Sequence, residues 1–270
     1  MFQRVKQLLN DQSRRIHRYE KIVTTINSLE REMEQKSDQA LRELTVSLRE
    51  RLQAGERIDA ITPMAFALVR EASKRTLGLR HYDVQLMGGL ALLEGQIAEM
   101  ATGEGKTLVA SLASFTQALH GKGVHVITVN EYLAQRDAEQ IGQIHRFLGL
   151  QVGINSAEAT FDEKRIAYAA DITYGVGTEF GFDYLRDHLI MEPTERLQRP
   201  LHFALIDEVD SILIDEAKTP LIMAERDSVH EGLQQLVRHV VQTFEDERDY
   251  TFDEEIKAVA LTDHGIETIE

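Results

Sequence analysis

The chain has 270 residues, 43% of them apolar, and carries 45 acidic against 30 basic side chains for a net charge of −15. That length holds one large domain or one and a fraction, and the absence of cysteine excludes disulfide frameworks, thiolate metal sites and thiol nucleophiles. The acidic balance speaks against general nucleic-acid binding, which needs basic surface to displace counterions. No apolar run reaches the length of a membrane span, and Arg4 and Lys6 interrupt any signal-peptide core, so a cytosolic protein is expected.

Residues 1–21 differ from the rest. Arg4, Lys6, Arg14, Arg15, Arg18 and Lys21 face only Asp11 and Glu20, and Phe2, Val5, Leu8 and Leu9 fall at helical spacing. Such a basic amphipathic helix either lies on an anionic membrane surface or a partner, or packs on its own domain, and the sequence weighs the two evenly. Helix continues over 16–54. Ile16, Tyr19, Ile22, Val23, Ile26 and Leu29 repeat at three and four, as do Leu41, Leu44, Leu48 and Leu52, with Ser37-Asp38 as a cap between the two stretches and Gly55 as the stop. Thr62-Pro63 opens the next helix, which runs to about Thr76 and stops at Gly78.

The chain is organised around Met100-Ala101-Thr102-Gly103-Glu104-Gly105-Lys106-Thr107. Gln96–Met100 before it reads as a short buried strand, and Leu108–Leu119 after it as a helix, which is the setting of a phosphate-binding loop. Gly103 and Gly105 let the backbone approach phosphate oxygens, and the helix start offers unpaired N–H groups. Lys106 would reach the β- and γ-phosphates and Thr107 would hold Mg²⁺. Met100 stands where the strict pattern has glycine, an opening closer to helicases than to kinases. The bland alternative is a strand–turn–helix that merely contains Gly-Lys-Thr.

From residue 96 onward strands alternate with helices. Strands are expected at 124–129, 150–154, 171–174 and 203–206, and helices at 131–148, 159–169 and 178–189. The alternation predicts a parallel sheet covered on both faces, with ligands outside the strands' carboxyl ends. After about Ala224 the character changes: a helix over 229–244, a charged turn at 245–249, strands at 250–252 and 258–261, and a last helix capped by Thr262-Asp263.

Leu205-Ile206-Asp207-Glu208-Val209-Asp210 has the form of a Walker B segment, an apolar strand delivering acids at its end. Asp207 would hold Mg²⁺ through its water shell and Glu208 would orient or deprotonate the attacking water; Asp210 and Asp215 read as surface or helix-start acids. The Gln85 amide suits an adenine edge, although residue chemistry alone makes it only a polar residue before Leu86. Residues 128–134 and 174–187 each follow a strand end and face the ligand crevice, and Arg186 and Asp187 are expected to form a local ion pair.

Together these segments resemble SecA, the family of motor ATPases of bacterial preprotein translocation. The likeness rests on Arg80–Leu86, Ala98–Thr107, Val129–Ala134, Glu179–Asp187 and the specific run Leu205–Ala217. The resemblance implies an α/β fold: a RecA/helicase-like P-loop NTPase domain with parallel sheet and N-terminal helices over 1–224, and the start of a small α+β inserted domain, the preprotein cross-linking domain, over 225–270. It implies ATP and Mg²⁺ as cofactors. Leu79, Tyr82 and Gln85 would lie at the base, Thr102, Gly103, Glu104, Gly105, Lys106 and Thr107 around the phosphates, Thr107 and Asp207 at the metal, and Lys106, Asp207 and Glu208 in catalysis. It also implies the SecYEG channel, preproteins and an acidic phospholipid surface as partners, a homodimer, and a peripheral place on the cytoplasmic face of the cell membrane; nucleic acid is not expected. Asn130-Glu131-Tyr132, Val176-Gly177-Thr178 and Lys218 depart from the common family pattern and lean toward an accessory SecA. SecA proteins are several times longer, so the chain is expected to be a fragment or truncated product, without the second nucleotide-binding domain and its arginines and without the zinc-binding tail. It is therefore expected to hydrolyse ATP very slowly or not at all. A nucleic-acid helicase and a non-catalytic docking module are the competing expectations.

Overall fold

The computed structural model describes residues 2–223, 237–239, 241–253 and 257–269. The chain divides into two compact units, Met1–Leu221 and Ile222–Glu270.

The first unit begins with helices. α1 (Phe2–Ser28) breaks at Leu29 into α2 (Glu30–Gln35), and Ser37 caps α3 (Asp38–Gln53) by accepting the Ala40 N–H. The break at Leu29 was not foreseen from the unbroken apolar repeat. The side chains of residues 1–11 lie outside the described set, and with them the expected stripe of Phe2, Val5, Leu8 and Leu9 and the cations Arg4 and Lys6. From Tyr19 onward α1 packs on its own domain, with Tyr19, Val23 and Ile26 buried.

α4 (Ile58–Leu77) is the buried centre of the helical layer, with Ile61, Ala65, Phe66, Leu68, Val69 and Ala72 inaccessible or nearly so. It starts four residues before Thr62. Pro63 removes one helical hydrogen bond near the start and the helix runs through it, so α4 opens at Ile58 and not at the expected Thr62-Pro63. Gly78 stops it in the left-handed conformation, φ +69°. Arg70 of α4 is buried at 2% exposure. Its guanidinium donates to Asn27 Oδ1 at 2.7 Å and to the Ile26 carbonyl at 3.2 Å, and so fastens α1 to α4.

α5 (Asp83–Leu93) follows, a helix with no amphipathic period because Leu86-Met87-Gly88-Gly89-Leu90-Ala91-Leu92-Leu93 is apolar or small all round. Gly89 lies so close to Leu112 of α6 (Lys106–Ala118) that an added Cβ would stand 2.7 Å from Leu112 Cδ1. The α5 backbone at Gly89 thus packs directly on the side chains of Leu112 and Phe66.

The sheet has four parallel strands in the order β2-β3-β1-β4: β1 (Val124–Thr128), β2 (Val152–Asn155), β3 (Ile172–Val176) and β4 (Phe203–Ile206). The connecting helices are α7 (Glu131–Gln140), α8 (Gly142–Phe147), α9 (Phe161–Ala169) and α10 (Gly177–Leu189). The helix expected over 131–148 is thus interrupted at Ile141. Alternation sorts the faces. Val124, Val126, Ile172, Tyr174 and Leu205 enter the main core with α4, α6 and α8, while Ile127 packs with Tyr168, Phe180 and Leu197 on the opposite side.

Gln96–Met100 is extended but forms no strand, contrary to expectation. β4 pairs with β1 on one side; on its other side a cleft of about 690 Å³ separates it from residues 96–100, leaving that stretch without a strand to join. In the second unit, β5 (Tyr250–Asp253) and β6 (Ala258–Leu261) form an antiparallel hairpin, followed by α11 (Asp263–Ile269), whose start is capped by Thr262 Oγ1 accepting from Gly265 N–H. Of the helix expected over 229–244, residues 229–236 and 240 lie outside the described set.

Candidate nucleotide site

Residues 101–105 form a tight loop between the extended arm and α6. Gly103 (φ +87°) and Gly105 (φ +80°) take conformations that L side chains rarely adopt. Gly105 also has no room for a side chain, since a Cβ there would stand 2.7 Å from Gln85 Nε2. The loop holds its own shape: Glu104 accepts the Ala101 N–H through its carboxylate at 2.9 Å, and Glu104 N–H donates to the Ala101 carbonyl at 3.3 Å. Lys106 and Thr107 open a 13-residue helix, so unpaired N–H groups and the positive end of the dipole point at the loop.

Lys106, at the loop's end, shares a cleft with the end of β4, whereas residues 101–105, Thr107 and Gln85 do not line it. Lys106, Asp207, Glu208, Val209 and Asp210 line it together with 95–100. Asp207 sits one residue beyond the strand and is fixed by its N–H donating to the Ile127 carbonyl of β1 at 2.9 Å. Its Oδ1 accepts the Glu208 N–H at 3.0 Å. Glu208 has φ +52°, a left-handed backbone in a residue with a full side chain, which costs about 1–2 kcal/mol and is the kind of strain that collects at functional positions. Ser211–Asp215 continues as a π-helical turn.

Among the described residues the Lys106 ammonium and the Thr107 hydroxyl have no hydrogen-bond or ion-pair partner within the protein, and Lys106 is the one cation lining the cleft. In a chain of charge −15 this lysine lines a cleft together with four carboxylates, Glu99, Asp207, Glu208 and Asp210, and pairs with none of them. Thr107 carries a hydroxyl and Asp207 a carboxylate, oxygen donors of the kind Mg²⁺ takes; of the two, Asp207 lines the cleft. No cluster of three or more metal-binding side chains occurs among the described residues.

Gln85 is buried between α5 and the loop. Its Oε1 accepts the Tyr82 N–H at 2.9 Å and its Nε2 donates to the Glu104 carbonyl at 2.7 Å. Both ends of the amide are thereby engaged with backbone, one of them the phosphate loop itself. Leu79 and Tyr82 stand exposed just before it. His81, fully buried between them, is bonded to the Leu108 carbonyl at 3.0 Å, and burial pushes it down to about 4, so it is neutral. That bond ties the Leu79–Gln85 stretch to the first turn of α6.

The sequence did not single out Asp137. It is 4% exposed on α7; burial raises its carboxyl, the neighbouring Arg136 lowers it, and the Asp207 charge raises it further. The expected Arg186–Asp187 pair does not form. Arg186 Nη1 donates to Asp183 at 2.8 Å, one helical turn back, while Asp187 accepts the N–H groups of Leu197 and Gln198, both at 2.8 Å. Residues three apart share a helix face and adjacent ones do not. Asp183 is itself the hub of a buried cluster with Lys164, Asn155 and Tyr168.

A four-stranded parallel sheet flanked by helices, with a glycine-containing loop at the start of α6 and acids at the end of β4, is the fold of a DEAD-like, RecA-type domain. The model of the SecA DEAD-like domain matches residues 5–267, and the chain belongs to that family. It is similar to protein translocase subunit SecA 2 of Bacillus anthracis, at 56% identity over 100% of this chain and 34% of that protein. The SecA 2 of Geobacillus thermodenitrificans is 56% identical over 95% of this chain and 33% of its own length. Protein translocase subunit SecA of Heliobacterium modesticaldum is 53% identical over 100% of this chain and 32% of its own. The chain thus spans about a third of the length of these relatives.

Proposed function

We propose that this chain is the ATP-binding part of a SecA-type motor, an accessory form, that couples ATP hydrolysis to moving preproteins through the SecYEG channel at the cytoplasmic face of an anionic membrane. The observation that carries it is the partnerless Lys106 at the start of α6, beside the left-handed Gly103 and Gly105 and in one cleft with Asp207 and Glu208. Thr102–Thr107 hold the phosphates, Thr107 and Asp207 hold Mg²⁺, Glu208 orients the attacking water, and Leu79, Tyr82 and Gln85 meet the base. Bound Mg²⁺ would neutralise charge on the phosphates. Residues 225–270 begin the preprotein cross-linking domain, and the names of the relatives support the translocation role.

Lys106 being the one cation of the cleft among the described residues, this chain turns over slowly by itself. An arginine supplied from a second domain is worth about 10³- to 10⁵-fold in such enzymes. Equilibrium binding of a fluorescent ATP analogue with Mg²⁺, together with phosphate release, tests this. The wild type binds with negligible turnover and Lys106→Ala loses binding. Equal affinity in the two proteins would refute the phosphate assignment.

A further inference from the structure

The arm that leads into the phosphate loop is held in an unusual way. Gly95 (φ +69°) turns the chain out of α5, with Gly95 N–H donating to Leu92 and Gln96 N–H to Ala91. From Ile97 to Met100 no backbone hydrogen bond follows among the described residues, and Ile97 and Glu99 are exposed. A loop that must present its N–H groups to phosphates within a few tenths of an ångström needs a fixed approach.

Its fixed points come from α1. Arg18 Nη2 donates to both oxygens of Glu94, at 2.5 and 2.6 Å, and Tyr19 Oη donates to Glu94 Oε2 at 2.8 Å. Tyr19 is buried, so Glu94 is anchored to the core and not only to another surface charge. Three residues earlier on α1, Arg15 Nη1 donates to Gln96 Oε1 at 2.7 Å. Arg15, Arg18 and Tyr19 share a face of the helix and meet both residues that flank Gly95. Two of the six cations of the basic segment are thus committed to this job.

We propose that Arg15, Arg18 and Tyr19 are positioning residues for the phosphate loop: they clamp Glu94 and Gln96 and so set the path of the arm that carries Ala101–Gly105. The proposal rests on the nucleotide reading of the loop, and its test separates the two. Amide hydrogen exchange of Ala101 and Glu104, whose N–H groups have acceptors within the loop, is followed without nucleotide, and affinity for the fluorescent ATP analogue with Mg²⁺ is measured alongside it. The variants are Arg18→Gln, Glu94→Gln and the charge swap Arg18→Glu/Glu94→Arg. Arg49→Gln, which breaks the Arg49–Asp171 pair of 2.9 Å at α3, is the control.

Arg18→Gln and Glu94→Gln should exchange faster at Ala101 and Glu104 and bind about two- to fivefold more weakly, the range expected of one partly exposed ion pair. The swap should recover most of both, and Arg49→Gln should change neither. Wild-type exchange in Arg18→Gln overturns the proposal. So does faster exchange with unchanged affinity while Lys106→Ala loses binding, or an equal effect in Arg49→Gln. If the wild type binds no nucleotide while exchange responds as described, the clamp stands and the nucleotide reading falls.

Discussion

Removing the Asp183 carboxylate tests how the second side of the sheet is held. Asp183 is fully buried on α10. Its Oδ1 accepts from Lys164 Nζ at 3.0 Å and Arg186 Nη1 at 2.8 Å, and its Oδ2 from Lys164 at 3.1 Å, Asn155 Nδ2 at 3.0 Å and Tyr168 Oη at 2.9 Å. Lys164 is 5% exposed and would keep only Glu179, 2.9 Å away. Asp183→Ala therefore strands a buried ammonium with one counterion, together with a phenol whose acceptor has gone and an amide left with Tyr168 Oη alone. Breaking one side of a buried pair costs about 3–5 kcal/mol. Asp183→Asn, which keeps an acceptor but loses the charge, should cost about 1–3 kcal/mol. The chain has no tryptophan, so urea unfolding is best followed by circular dichroism. Lys164→Met combined with Asp183→Leu should recover most of the loss, because the desolvation of both charges disappears with them. A cost below about 1 kcal/mol for Asp183→Ala, measured against the desolvation expected of a stranded lysine, would refute the assignment of the cluster as a unit.

The other predictions concern the loop, the strained acid and pH. Gly105→Ala should cost about 1–3 kcal/mol from its left-handed backbone and should weaken nucleotide binding by pushing Gln85 aside, read by denaturation and by the fluorescent analogue. Glu208→Gly should raise stability by up to about 1 kcal/mol by releasing the positive φ, seen as a higher urea midpoint, and should abolish hydrolysis in a longer, active protein. Burial depresses His81 and His125 to about 4 and His145 to about 3. The unfolded chain therefore binds more protons than the folded one below pH 6.5. Stability should be full above that pH and fall as pH drops toward 4, each histidine contributing up to about 1.4 kcal/mol per pH unit. Asp137, raised by burial, opposes this in part; urea midpoints between pH 7 and pH 5 measure the sum.

Much of this was legible because local chemistry and tertiary structure agreed. Ser37 caps, and Gly78 and Gly149 stop helices at φ +69° and +89°. The four sheet strands were found because β-rich apolar runs sat between helix patterns. α5 was missed because a helix apolar all round has no period to detect. The strand at 96–100 was misread because a strand exists only when a neighbour supplies its ladder, and none of the described residues does. At the site, glycine, lysine, threonine and the two acids were visible as a motif. The hold of Gln85 on Glu104, the strain at Glu208 and the grip of Arg18 on Glu94 were not. Each depends on residues from different segments meeting, or on a backbone angle, and neither is written in spacing.

β4 has one further consequence. It is four residues long, and among the described residues only β1 pairs with it. Phe203-Ala204-Leu205-Ile206 carries no lysine or proline that would discourage company on the open side. That side is a template for any extended segment of similar composition. A charged residue in place of the exposed Ala204 should raise the concentration at which the protein stays monodisperse, and light scattering of the two proteins side by side measures it.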